Sequence, residues 1–246
     1  MKRFENVTAI VTGAGSGVGR AVARRLASEG AAVACLDLVP EAAERTAAEI
    51  AGRASAHRVD VADPVSVRAA VAAAAEALGR PSVLVNSAGT GKFAHSHEMP
   101  YEDWARIIGV NLTGTFLMCQ AVLPHLFEGG GNIVNIASNA GLMGQPFSAA
   151  YCASKGGVVQ LTRALADEYL RKRVRVNAVA PGGVDTPMQK SFDLPPGANP
   201  KAIMKLMTPL GMCSPDEVAA LVAFIASEEG RYMTGAIVPM DGGLTI

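Results

Sequence analysis

No block of like charge occurs in this chain of 246 residues: 22 basic side chains stand against 22 acidic ones. That balance argues against nucleic acid or an anionic membrane surface as the main partner. Cysteine is sparse. Cys35, Cys119, Cys152 and Cys213 show neither CxxC spacing nor a metal-ligand cluster, so no metal is expected. They read as small buried hydrophobes in a reducing compartment. The chain lacks an uninterrupted apolar run of the roughly 18 residues that a membrane-spanning helix needs. The charged segment Met1–Glu5 leads into an apolar run too short for a signal peptide, and that run breaks at Gly13. These absences predict a soluble, cytoplasmic protein. What is plentiful is apolar: 50% of residues are hydrophobic, enough for one large α/β domain or two small ones.

Apolar, β-branched runs ending in glycine or a small residue alternate with helical periodicity along the whole chain. Strands are expected at Val7–Gly13, Ala31–Leu38, Ala54–Val61, Ser82–Gly89, Asn132–Ser138, Val174–Gly182 and within AIVPMDGG near the end. Helices are expected at Gly17–Glu29, closed by Gly30, and at Pro40–Ala51. Another runs from Pro64 to about Leu78 with Asp63 as N-cap. Further helices cover Tyr101–Leu126, Ala149–Leu170 and Pro215–Ala226, the last capped by Ser214. The strands are apolar on both faces, and no linker or repeat interrupts the alternation. The expected fold is therefore a single α/β domain, a Rossmann-like doubly wound parallel sheet with helices on both faces. Ligands of such sheets bind beyond the carboxyl ends of the strands, where Gly13, Gly89, Ser138, Pro181 and Gly182 all fall.

Between the first strand and first helix lies TGAGSGVG, which includes Gly13, Ser16, Gly17, Val18 and Gly19. Glycines there permit a tight turn and let backbone N–H groups approach a pyrophosphate. The literal GxGxxG spacing is absent, because Val18 stands where a third glycine would fall. Asp37, at the end of the second strand, suits the two ribose hydroxyls of an adenosine and would repel a 2′-phosphate. Neither Ser16 nor Leu38 compensates with a cation, which favours NAD over NADP. The alternative is that Asp37 only caps a turn before Pro40. Asp60 and Val61 are placed to bracket an adenine. Asn86, Ala88 and Gly89 allow close approach to a ribose, although Asn86 could instead tie neighbouring strands together.

Tyr151 and Lys155 stand four apart on a helix, hence on one face a turn apart. An ammonium beside a phenol stabilises the phenolate, so the Tyr151 pKa is expected to fall below its usual value. Such a phenol serves as an acid/base near neutral pH. Ser138 reaches the same place if the intervening loop folds back. Asn111, inside a long helix, favours a local distortion.

Together TGAGSGVG, NSAG, VNLTG around Asn111, Ser138, YCASK and PGGVDTP resemble the short-chain dehydrogenase/reductases over nearly the whole chain. The glycine motif is that family's own variant; Ser87 stands where the family more often has asparagine. The resemblance implies hydride transfer between NAD and a secondary alcohol or ketone. It makes Tyr151 the general acid/base, Lys155 its partner and a ribose contact, and Ser138 the holder of the substrate oxygen. It gives Asn111 a water linking Lys155 to solvent, and it places Gly182, Val184 and Thr186 on the nicotinamide side. It also implies a homotetramer, assembled through Tyr101–Leu126 and Ala150–Leu170, with the C-terminal strand at a second interface.

The segment from about 184 to 214 breaks the alternation and reads as a substrate lid with a short helix near Ala202–Met207. Met188, Met204, Met207 and Met212 would give a pliable apolar wall. Leu142, Met143, Gln145 and Phe147 are expected to face the same pocket, and His95 or His97 to touch a polar group. The substrate expected is an apolar ketone or secondary alcohol of medium size. Two other readings compete. One is a 3-oxoacyl-thioester reductase; Asp37 counts against it, and the only basic cluster that could serve an acyl carrier is Arg171, Lys172 and Arg173, expected at a helix end. The other is a non-catalytic NAD-binding sensor, which would not need Asn111, Ser138, Tyr151 and Lys155 together.

Overall fold

The computed structural model describes residues 2–189 and 192–246. Lys190 and Ser191, within the expected lid, lie outside the described residues. Seven strands are observed: β1 (Thr8–Thr12), β2 (Ala32–Asp37), β3 (Ala54–Arg58), β4 (Val83–Asn86), β5 (Gly131–Ile136), β6 (Val174–Pro181) and β7 (Ile237–Met240). They form one sheet in the order β3-β2-β1-β4-β5-β6-β7, and every pairing is parallel. Among the described residues seven α-helices cover its faces: α1 (Gly17–Ser28), α2 (Pro40–Glu49), α3 (Pro64–Leu78), α4 (Tyr101–Ile108), α5 (Gly114–Leu126), α6 (Ala149–Glu168) and α7 (Pro215–Ala226).

The strands are apolar throughout because each face has its own core. Val11, Val33, Cys35 and Val85 pack with Val22 and Leu26 of α1 and Val218 and Val222 of α7. The alternate residues Ile10, Leu36 and Leu84 pack with Val67 and Val71 of α3 and Met118 and Val122 of α5. A period of two along each strand thus feeds two apolar layers rather than one apolar and one wet face.

The caps read from the sequence are present. The Asp63 side chain accepts the Val65 N–H, Ser214 and Glu217 form a reciprocal capping box, and Gly30 takes φ +106° after α1.

Three expectations need correction. The strand expected over Ala54–Val61 ends at Arg58, because β3 is a half-exposed edge strand. One further bond, Val59 N–H to Asp37 O, leads into a loop in which the Asp60 carboxylate accepts the Ala62 N–H. The long helix Tyr101–Leu126 is not uniform: Gly109–Thr113 is a π-helical turn between α4 and α5. That helix is apolar and long enough to cross a membrane by length and composition alone. Here Met118, Cys119, Val122 and Leu126 are buried in the core against α3. Finally, the short helix expected at Ala202–Met207 is a 3-10 helix, Pro200–Leu206, with Met204 and Met207 facing solvent.

Candidate active site

The carboxyl ends of the strands open into a cleft of about 500 Å³. At its centre the sequence folds Ser138 back on α6. The residues after β5 make a 3-10 turn, Asn139–Gly141, and Ser138 caps it by accepting the Ala140 N–H at 3.1 Å. A Cβ on Gly141 would lie 2.6 Å from the Lys155 carbonyl oxygen, so the missing side chain lets this turn rest against the α6 backbone. Tyr151, in the first turn of α6, then hydrogen-bonds Ser138. The Ser138 hydroxyl in turn donates to Asn139 Oδ1 at 3.1 Å. Lys155 is buried; its Nζ donates to Ile136 O at 2.7 Å and lies 5.8 Å from the Tyr151 ring centroid.

The electrostatics of this pair differ from expectation. Burial pushes the Tyr151 phenol up to about 12, against a lowering contribution from the Ser138 hydrogen bond. Burial likewise pushes the Lys155 ammonium down to about 8. Desolvation disfavours whichever form is charged, and it is the largest cause at both groups. The phenol is therefore fully protonated near neutral pH in the chain alone.

Asn111 lies in the π-helical turn and is completely buried. Its Oδ1 accepts the Thr90 N–H, while its Nδ2 donates to Thr90 O and Ser154 Oγ. It therefore braces the loop after β4 against α6, directly behind Lys155, and does not line the cleft.

At the other end, Gly13 takes φ +64°, and a Cβ there would meet the Ala88 backbone at 2.9 Å. The missing Cβ of Gly15 leaves room for Asp37, whose Oδ2 accepts the Gly15 N–H at 2.8 Å and whose Oδ1 accepts the Val39 N–H at 3.0 Å. Each oxygen keeps a lone pair toward the cleft. Asp37 thus fixes its turn and still lines the cleft. The first turn of α1 holds no acidic residue and Ser16 makes no side-chain cap, so its N–H groups stay open to an anion. Arg20 is turned away onto Glu49. These residues fit a dinucleotide: a glycine-walled turn for the pyrophosphate and a carboxylate for the ribose.

Of the residues expected to hold a cofactor, all line this cleft except Asn86. The Asn86 side chain points into the sheet layer, donating to Asn135 Oδ1 at 2.9 Å and contacting Cys119 Sγ, so it ties β4 to β5 and α5. Of the expected methionine wall, Met188 lines the cleft, while Met204, Met207 and Met212 are exposed. Gln145 lines it and Leu142, Met143 and Phe147 do not. His95 bonds Pro196 O and stacks edge-on to Phe147, and His97 is exposed beside Glu98; neither lines the cleft. Asn139, Phe93 and Phe192 do line it and escaped sequence reasoning. Asn139 could have been suspected from its place beside Ser138; the two phenylalanines carry no sequence signal. No cluster of potential metal ligands occurs among the described residues.

A doubly wound sheet with a glycine-walled helix terminus and a Ser–Tyr–Lys cluster at its strand ends defines a nicotinamide-dependent dehydrogenase or reductase. The comparisons agree: residues 13–245 match the family model described as Enoyl-(Acyl carrier protein) reductase. The chain belongs to the short-chain dehydrogenase/reductase family. It is 44% identical to D-threitol dehydrogenase of Mycolicibacterium smegmatis, across 99% of this chain and 95% of that one. It is 42% identical to meso-2,3-butanediol dehydrogenase of Serratia marcescens, across 99% and 96%. The 3-ketoacyl-(acyl-carrier-protein) reductase from Brucella melitensis, solved with NADH, superposes with TM-score 0.91 at 35% identity, covering 99% of this chain and all of that one. The protein is an oxidoreductase that interconverts a secondary alcohol and a ketone.

Proposed function

We propose an NAD(H)-dependent dehydrogenase of a small secondary alcohol, with Tyr151 as its general acid/base. The observation that carries this reading is one cleft holding Tyr151, Ser138 and Lys155 at one end and Asp37 at the other. When bound, the nicotinamide supplies the hydride acceptor or donor. Ser138 and Tyr151 hold the substrate oxygen, and Tyr151 exchanges a proton with it. Lys155 keeps a positive charge beside the phenol and reaches the nicotinamide ribose. Asn111 shapes the route by which protons reach Lys155. Asp60 and Val61 flank the adenine, and Gly182, Val184 and Thr186 border the nicotinamide. Residues 184–214 close the substrate end through Met188, Phe192 and Leu206, which line the cleft.

Cofactor choice follows from charge. Asp37 would repel a 2′-phosphate, and among the described residues the cations lining the cleft are Lys155 and Arg106, the latter paired with Asp103 at 3.0 Å. The kcat/KM for NADH should exceed that for NADPH by about tenfold or more, the scale of one unpaired charge. A preference for NADPH would overturn the assignment.

The acyl-thioester reading gains weight from the Brucella melitensis reductase. Against it, Arg171, Lys172 and Arg173 directly precede β6, at the amino ends of the strands and so on the side opposite the cleft. An acyl carrier docked on that cluster could not deliver its thioester to Tyr151.

We also propose a homotetramer in a reducing, cytoplasmic setting. All four thiols are free, and Trp104 and Phe116 stand partly exposed on α4 and α5. Light scattering should give four times the protomer mass; a monomer would refute the assembly.

A further inference from the structure

Gln145 sits in the loop between the 3-10 turn and α6, and its orientation is fixed by a chain of hydrogen bonds. Its Nε2 donates to Asn139 Oδ1 at 3.0 Å, the same oxygen that accepts the Ser138 hydroxyl at 3.1 Å. Ser138 also bonds the Tyr151 phenol. With one Nε2 hydrogen so committed, Gln145 has an Oε1 with no partner among the described residues, and the residue lines the cleft. A carboxamide pinned in this way presents Oε1 and one remaining N–H to a ligand, and a hydroxyl can donate to the first. It lies two hydrogen bonds from Ser138, within reach of a substituent on the carbon next to the reacting one.

The facing wall is apolar and short. The Phe192 ring meets Tyr151 edge-on with centroids 5.6 Å apart, and Phe93 meets Phe192 at 4.9 Å. Phe192 occupies this place because residue 91 is glycine: a Cβ there would lie 2.2 Å from Phe192 Cζ. A substrate between these walls is compact, with an apolar side toward the rings and a donor toward Gln145.

We propose that Gln145 selects a small vicinal diol by accepting a hydrogen bond from the hydroxyl adjacent to the reacting carbinol. This rests on the dehydrogenase reading above. The diol carbinol loses its C–H hydride to NAD⁺ and its O–H proton to Tyr151 as the phenol's own proton passes by way of Lys155 to solvent, giving an α-hydroxyketone, NADH and one released proton; the second hydroxyl is not consumed.

The test is the ratio of kcat/KM for the vicinal diol meso-2,3-butanediol to that for sec-butanol, which lacks the second hydroxyl. In the wild type the ratio should be about tenfold or more, the worth of one hydrogen bond from a site built to accept it. Gln145→Leu should bring it near one, and so should Gln145→Met, which keeps the length of the side chain and loses the carboxamide oxygen. A structural role for Gln145 would slow both substrates alike and leave the ratio unmoved, which overturns the proposal. Oxidation of sec-butanol with the diol untouched also overturns it while sparing the dehydrogenase reading. Failure of both alcohols with either dinucleotide sinks both.

Discussion

Tyr151→Phe is expected to lower kcat by about 10²–10⁴-fold, the usual worth of a positioned acid/base, while dinucleotide affinity stays nearly unchanged. The substitution removes one oxygen from a ring whose packing is set by Phe192 at 5.6 Å and by the α6 backbone. The Ser138 hydroxyl keeps its own acceptor, Asn139 Oδ1, so the 3-10 turn has no reason to move. Turnover measured beside a fluorescence titration with NADH separates chemistry from binding. Retention of more than a few per cent of kcat would break the acid/base assignment.

The second large effect concerns stability. Lys155 has its ammonium pushed down to about 8 by burial, from an ordinary value of 10.5. Between those values the unfolded chain binds the extra proton, so stability rises with pH across that window and is lost as pH falls through about 8. At ~1.4 kcal/mol per pKa unit the full swing is about 3 kcal/mol. In Lys155→Met this swing is absent, although Ile136 O loses its donor at every pH. Urea denaturation of both proteins at pH 7 and pH 10 should therefore show the wild type gaining about 2.5 kcal/mol on the variant, most of the full swing. Comparing the two removes every other titrating group, including Tyr151, whose raised value acts in the opposite sense above its ordinary 10. A difference that does not move with pH would show that Lys155 is not buried as a cation.

These two residues also mark where sequence reasoning stops. The alternation of strands and helices was legible because both faces of the sheet are covered, leaving unbroken apolar runs such as Thr8–Thr12. The cleft was legible because the runs end in glycine, serine or proline at the same edge of the sheet. The spacing of Tyr151 and Lys155 gave their adjacency. It could not give their charge state, because desolvation depends on the walls that Phe192 and Ile136 build from distant parts of the chain. The edge position of β3 was invisible for the same reason, since Val59 and Val61 are apolar enough to continue a strand. Periodicity likewise cannot say which side of a one-turn element faces the cleft, so the methionines at 204 and 207 were assigned to a wall they do not form. The snug seat of Phe192 over Gly91 is a meeting of two loops, and no local pattern announces it.

The π-helical turn at Gly109–Thr113 keeps the helix after it in phase. Relative to a regular α-helix it carries one extra residue, and one residue corresponds to a rotation of about 100°. Excising a single position there would let the turn close to a regular α-helix with Met118, Cys119 and Val122 still on the sheet layer, while withdrawing Asn111 from Thr90 and Ser154. The extra residue therefore serves the bracing of Lys155 and leaves the core layer beyond it in phase. Within the turn, Asn111 is the position least open to substitution.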